Sequence, residues 1–204
     1  MHIAIVGNIG AGKTTLTGLL AKQMGWEPQF EAVEHNPYLQ DFYSDMKRWA
    51  FNLQIFFLNS RFRHMLELQQ TDKDIIQDRT IYEDAYIFAE NLHDMGLMST
   101  RDFDNYSAIF ESVVSFVRPP DLLIYLKASV PTLVNNIQLR GRDYEAGIRL
   151  DYLSKLNEKY KKWISTYQGG KLLILDKDKL DFAHNPEDLG FVIQQIEREL
   201  NGLF

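Results

Sequence analysis

Gly7-Asn8-Ile9-Gly10-Ala11-Gly12-Lys13-Thr14 fits the pattern G-x-x-x-x-G-K-[ST]. The spacing has a chemical reason. Glycines let backbone N–H groups curl around phosphate oxygens, and the helix opening at Lys13 turns its positive end toward them. Lys13 is suited to the β- and γ-phosphates, and the Thr14 hydroxyl to Mg²⁺. The stretch follows an apolar run, residues 2–6, and precedes helically spaced Leu16, Leu19, Leu20 and Met24. In that context residues Gly7 to Thr15, including Asn8, Ile9, Ala11 and Thr15, are expected to bind a nucleoside triphosphate with magnesium rather than form an ordinary glycine turn.

Other stretches narrow the chemistry. No D-x-x-G or N-K-x-D string is present, so a regulatory GTPase is disfavoured. Residues 140–149 hold Arg140, Arg142 and Arg149 with two glycines. Charge and mobility together suit a lid over a transferring phosphoryl group, whose transition state spreads charge over its oxygens. The bland alternative is a solvated loop. Asp78-Arg79 ends a short apolar run, which places Asp78 near the phosphates to hold Mg²⁺ partly through water, and Arg79 near the phosphoryl acceptor. Alone, this pair also reads as a surface ion pair. Glu31, at the end of a weak strand expected over 30–33, is suited to accept the proton of a hydroxyl, with Glu34 as its rival by proximity. Gln54, Phe57, Leu58 and Arg61 share one helix edge, which reads either a flat polar ring or, by periodicity alone, an amphipathic boundary. No His, Asp and Glu cluster has metal-ligand spacing, so any metal arrives with the nucleotide.

These residues must be positioned by alternating strands and helices. Strands are expected at 2–6, 30–33, 74–78, 121–126 and 172–175. Helices are expected over 13–24, 42–70, 83–95, 100–117, 129–140, 150–167 and 186–200. The pattern implies an α/β fold, a five-stranded parallel sheet covered by helices on both faces, with ligands at the carboxyl ends of the strands. The 204 residues form one domain, 1–204, with the lid at about 140–149. The chain has no cysteine, which excludes a disulfide scaffold and thiol chemistry. The formal net charge of −6 argues against a nucleic-acid polymer as partner. The apolar runs are too short for a membrane span, and the first strand starts at His2 with no leader before it, so a cytoplasmic location is expected.

The combination of the phosphate loop, Glu31-Ala32-Val33, Asn36-Pro37-Tyr38, the stretch from Trp49 to Gln54 with Arg61, Asp78-Arg79-Thr80 through Asp84, and Leu139-Arg140-Gly141-Arg142 resembles the deoxyribonucleoside kinase family, particularly its bacterial deoxyadenosine and deoxyguanosine kinases. The resemblance spans nearly the whole chain and implies a P-loop kinase fold with ATP-dependent 5′-phosphorylation of a deoxyribonucleoside in nucleotide salvage. It gives Glu31 the role of general base, with Asp78 as the alternative, and Arg79 that of orienting the 5′-oxygen. It places Tyr43 and Glu145 on the sugar 3′-hydroxyl, Gln54, Arg61 and Asp84 on the base, and Trp49 in the substrate site. Arg140 and Arg142 fall on the donor phosphates, and Leu180-Asp181-Phe182 on the donor adenine. A homodimer through helices 51–68 and 100–117 is also implied. Two positions depart from the family pattern: Ala32, where proline is common, and Asn136, where some relatives carry a lid arginine. A guanidinium beside a carboxylate presents a donor and an acceptor to one base edge, which fits adenine and cytosine better than guanine or thymine. Deoxyadenosine is therefore favoured, with deoxycytidine and deoxyguanosine open. The nearest rival is a nucleoside monophosphate kinase, which needs extra cations for the acceptor phosphate and is ill served by a carboxylate at Glu31. A second rival is a nucleotide-binding protein without turnover.

Overall fold

A computed structural model describes residues 1–30, 36–68, 72–145 and 147–202. Its sheet is built from β1 (His2–Val6), β2 (Glu27–Gln29), β3 (Ile75–Asp78), β4 (Leu122–Lys127) and β5 (Lys171–Asp176). The order across the sheet is β2-β3-β1-β4-β5, and every neighbouring pair is parallel. The helices are α1 (Lys13–Met24), α2 (Leu39–Ser44), α3 (Met46–Leu68), α4 (Ile81–Glu83), α5 (Glu90–Asp94), α6 (Thr100–Val114), α7 (Val130–Arg140), α8 (Leu150–Ser165) and α9 (Pro186–Asn201).

Side chains alternate across a strand, so β1 divides its apolar residues between two cores. Ile3 and Ile5 join Leu16, Leu20, Ile124 and Val192 on the face covered by α1 and α9. Ala4 and Val6 join Tyr125, Leu156 and Tyr160 on the face covered by α8. A third cluster packs α3 against α6 and the segment after β3, through Leu58, Met65, Ala85, Tyr106 and Phe110. Burial on both faces is what a parallel sheet requires. β1 is the central strand, so the loop that leaves it opens at the middle of the sheet's carboxyl edge, where ligands bind in such folds.

Three elements differ from the sequence expectation. A strand, β2, lies at Glu27–Gln29, ahead of the run expected over 30–33, of which residues 31–33 lie outside the described residues. It contains Pro28, which an edge strand tolerates because its outer side donates to nothing. The helix expected over 42–70 is two helices, α2 and α3, parted at Asp45, the C-cap of α2, whose φ and ψ of −145° and 83° are not helical. The helix expected over 83–95 begins at Ile81, and π-helical turns at Asp84–Ala89 separate α4 from α5. Such wide turns often mark functional sites.

Candidate functional site

The phosphate loop is fixed from several directions. Gly10 has φ +83°, and a Cβ there would lie 2.6 Å from the Leu133 carbonyl oxygen, so glycine is required. The Asn8 side chain donates to Leu153 O (2.9 Å) and Asn157 Oδ1 (2.7 Å) on α8, and its own oxygen accepts from Ile9 N at 2.8 Å. Asn136 Nδ2 donates to Gly10 O at 2.8 Å. Asn136 thus braces the loop backbone. Lys13, 7% exposed, donates through Nζ to the carbonyl oxygens of Gly7 (2.8 Å) and Asn8 (3.1 Å).

Asp78 ends β3 beside the loop. Its Oδ2 accepts from Thr14 Oγ1 at 2.5 Å, while its buried Oδ1 has no hydrogen-bond partner. A hydroxyl and a carboxylate with an oxygen to spare are hard donors of the type Mg²⁺ prefers. Among the described residues no group of three or more His, Cys, Asp or Glu gathers as a metal site, so a cation here would complete its shell from a nucleotide. Arg79 takes φ +69°, in the left-handed region that a side chain rarely adopts. Its amide donates to Ile5 O (2.9 Å), and its guanidinium lies 4.4 Å from the centre of the Phe88 ring.

The turn after Arg79 holds a residue the sequence reading passed over. Glu83 is fully buried and caps α4 reciprocally with Thr80: Thr80 N donates to Oε2 at 2.8 Å. Its other oxygen accepts from Gly7 N at 3.2 Å and lies 2.6 Å from the Tyr160 hydroxyl. Burial pushes the Glu83 carboxyl above the usual range, opposed by the nearby charges of Arg79 and Lys13. The pattern Thr80-x-x-Glu83 was the available signal, a capping box after an apolar run.

Two clefts open from the loop. The first encloses about 500 Å³ between α2, α3, the π-helical turns and the loop. Tyr43, Gln54, Phe57, Asp78, Arg79, Asp84, Phe88 and Glu145 face it. The second, about 360 Å³, lies across the loop and is walled by Asn136, Lys177, Asp181, Phe182 and His184. Gly10, Lys13, Thr14, Arg140 and Arg142 line both.

In the first cleft, Arg61 Nε is hydrogen-bonded to Asp84 Oδ2, and both side chains are buried. Arg61 stands behind Asp84, since Asp84 lines the cleft and Arg61 does not. Gln54 is 3% exposed, with a buried side-chain oxygen that finds no partner. The helix edge Gln54, Phe57, Leu58 and Arg61 is therefore wholly buried rather than an amphipathic boundary. Tyr43 stacks on Tyr144 with ring centres 5.8 Å apart. Glu145, 5% exposed, accepts from Arg140 Nε (3.0 Å) and Nη2 (2.5 Å), and Arg142 Nη1 lies 3.5 Å from its other oxygen.

Some expected site residues fall elsewhere. Trp49 packs against Tyr38, ring centres 5.8 Å apart, outside the lining of both clefts. Arg149 pairs with Asp151 at 2.8 Å on the exposed start of α8, and it too lines neither cleft. Glu31, Ala32, Val33, Glu34 and His35 lie outside the described residues.

Comparison with known proteins shows the family of the chain. The family model described as deoxynucleoside kinase matches residues 3–201. The chain belongs to the deoxynucleoside kinase family. A deoxyadenosine/deoxycytidine kinase of Bacillus subtilis is 37% identical over 196 residues, 95% of this chain and 90% of the relative. A deoxyguanosine kinase of Lactobacillus johnsonii is 39% identical over 207 aligned positions, 97% of this chain and 92% of the relative. Among solved structures, the deoxyadenosine kinase of M. mycoides with dATP bound superposes with a TM-score of 0.86 at 30% identity, covering 97% of this chain and 99% of that one. The kinase therefore has the P-loop kinase fold and phosphorylates a deoxynucleoside, which removes the nucleoside monophosphate kinase and the idle nucleotide-binding protein as readings.

Proposed function

We propose that this kinase transfers the γ-phosphoryl group of ATP to the 5′-hydroxyl of a deoxyribonucleoside, with deoxyadenosine preferred. The observation that carries this reading is the meeting of the two clefts at Lys13, Thr14, Arg140 and Arg142. A donor in the smaller cleft and an acceptor in the larger one would then exchange a phosphoryl group beside two arginines and a lysine. The transition state of such a transfer is loose, so positioning and charge neutralisation supply most of the rate.

In this reading Gly7 to Thr15 cradle the triphosphate and Lys13 neutralises its outer phosphates. Asp181 and Phe182 border the donor base. Thr14 and Asp78 would hold Mg²⁺, the Asp78 side in part through water, and the ion supplies charge neutralisation when it is bound with the nucleotide. Arg140 and Arg142 leave Glu145 partly or wholly to reach the transferring group, and the turn at 140–149 acts as their lid. Glu31 accepts the 5′-hydroxyl proton, Arg79 orients that oxygen, and Tyr43 with Glu145 holds the 3′-hydroxyl. Asp84, oriented by Arg61, and Gln54 read the base. A charged Asp84 accepts from an exocyclic amino group, which adenine and cytosine present beside an acceptor nitrogen. Relatives named for deoxyadenosine, deoxycytidine and deoxyguanosine support this substrate class. No helix among the described residues is long and apolar enough to cross a membrane. A homodimer is proposed through α3 and α6, supported by the exposed Ile109 and Leu66 on those helices and Phe116 just beyond α6.

The test is initial rates with ATP–Mg²⁺ against deoxyadenosine, deoxycytidine, deoxyguanosine, thymidine and deoxyadenylate. The highest kcat/KM is expected for deoxyadenosine. Preference for thymidine or deoxyguanosine would overturn the reading of Asp84, and activity on deoxyadenylate alone would overturn the role given to Glu31.

A further inference from the structure

The proton count beneath the phosphate loop does not close if Glu83 is ionised. The Tyr160 hydroxyl lies 2.6 Å from Glu83 Oε1 and 2.8 Å from Gly7 O. Both are acceptors when Glu83 is a carboxylate, and a phenol has one proton to give. Gly7 O also accepts from Lys13 at 2.8 Å. One further proton satisfies every contact. A protonated Glu83 Oε1 donates to the Tyr160 oxygen, Tyr160 donates to Gly7 O, and Gly7 N still donates to Oε1. Oε2 keeps the bond from Thr80 N.

We propose that Glu83 is held as a neutral carboxylic acid and is a positioning residue, one group that locks the Asp78-Arg79-Thr80 turn to the phosphate loop through Gly7 and Tyr160. One oxygen of the carboxyl serves the acceptor side, where Arg79 sits at φ +69°, and the other serves the donor side. Neutrality has a functional reason. A carboxylate under the loop would repel a triphosphate and compete with it for Lys13, whereas an acid supplies the same clamp without the charge. Among the described residues, the charged and titratable groups that face Glu83 are Arg79 on its own turn, Lys13 from α1, Tyr160 from α8 and Tyr125 from β4. Burial outweighs the two cations and raises the carboxyl, in agreement with the hydrogen-bond geometry.

The experiment is infrared spectroscopy of the full chain at neutral pH, comparing the wild type with Glu83→Gln. We expect a C=O stretching band of a protonated carboxylic acid in the wild type that is absent from the variant. Should Glu83→Gln fail to fold, the same band in the wild type must shift on ¹³C-labelling of glutamate carboxyls and on removal of its partner in Tyr160→Phe. Kinetics give an independent readout. Loss of the clamp in Glu83→Ala should lower kcat/KM for ATP about tenfold or more, a loss of the size expected for a buried hydrogen bond. Glu83→Gln, neutral and of the same shape, should recover part of that loss: its oxygen can accept from Thr80 N and its NH2 can donate to Tyr160 as the acid does, while the bond from Gly7 N is not replaced. A folded wild type without an acid band would overturn the proposal. So would a Glu83→Gln variant no better than Glu83→Ala.

Discussion

The two clefts that meet at Lys13 are built by different means. The smaller one is built largely on backbone: the glycine loop and the turn carrying exposed Asp181 and buried Phe182, with half-buried Lys177 placing its ammonium 4.9 Å from the Phe182 ring centre. The larger one is lined by buried polar side chains held by one another, with Asp84 fixed by Arg61 and Gln54 sealed into the wall. Backbone amides and a lysine recognise phosphate, which every nucleoside triphosphate carries. Buried amides, carboxylates and guanidiniums recognise one pattern of donors and acceptors, because a mismatched partner leaves a buried group unsatisfied. If the smaller cleft takes the donor and the larger one the acceptor, as proposed, this contrast predicts generosity toward the donor and selectivity toward the acceptor.

Variants can break each side separately. The largest loss is expected where the clefts share a residue. Lys13→Ala should lower kcat by roughly 10²–10³-fold, as removal of one preorganised charge-stabilising donor does elsewhere, read in a steady-state assay with any acceptor. Next come Arg79→Ala and Glu31→Ala. If positioning outweighs base strength, their losses in kcat should agree within about threefold; a normal rate for Arg79→Ala would remove that residue from the site. Asn136→Ala deletes one brace of the loop, the bond to Gly10 O. It should raise KM for ATP by roughly two- to tenfold, the worth of one hydrogen bond, and leave KM for the nucleoside unchanged. The smallest effect sharpens the contrast by lying outside both clefts. Ser99 caps α6 by accepting from Asp102 N at 3.1 Å. Ser99→Ala should cost about 1 kcal/mol and lower Tm by about 2–4 °C for a chain of this size, measured by thermal unfolding, with kcat intact.

What the sequence made legible follows the same division. The donor side is a contiguous motif with fixed spacing, so the loop, Lys13 and Thr14 stood out at once. Asp78 was legible because it ends an apolar strand. The sheet was legible from short apolar runs, except at its edge: β2, at Glu27–Gln29, carries a proline and a carboxylate in place of an apolar run, which an edge strand tolerates because its outer side donates to nothing. The acceptor side is dispersed, and its members are set by tertiary packing. The π-helical turns change which residues after Glu83 face inward, and a 3.6-residue period carries no sign of them. The break at Asp45 leaves no glycine or proline to mark it. Glu83 was readable as half of a capping box, but its contacts to Gly7 and Tyr160 join residues 76 and 77 positions apart, which spacing does not show. Trp49 and Arg149 show the converse: both carry suitable chemistry, yet ring packing and a local ion pair direct them away from the clefts.

The central claim is that acceptor choice resides in the buried Arg61–Asp84 pair while donor choice does not. The direct test is kcat/KM for deoxyadenosine, deoxycytidine, deoxyguanosine and thymidine, each with ATP and with GTP, in the wild type and in Asp84→Asn, with folding verified by circular dichroism. The account predicts that Asp84→Asn loses roughly 10²-fold on deoxyadenosine, reorders the four acceptors and leaves the ATP-to-GTP ratio unchanged. An unchanged acceptor order, or a donor ratio that moves with the substitution, would contradict it.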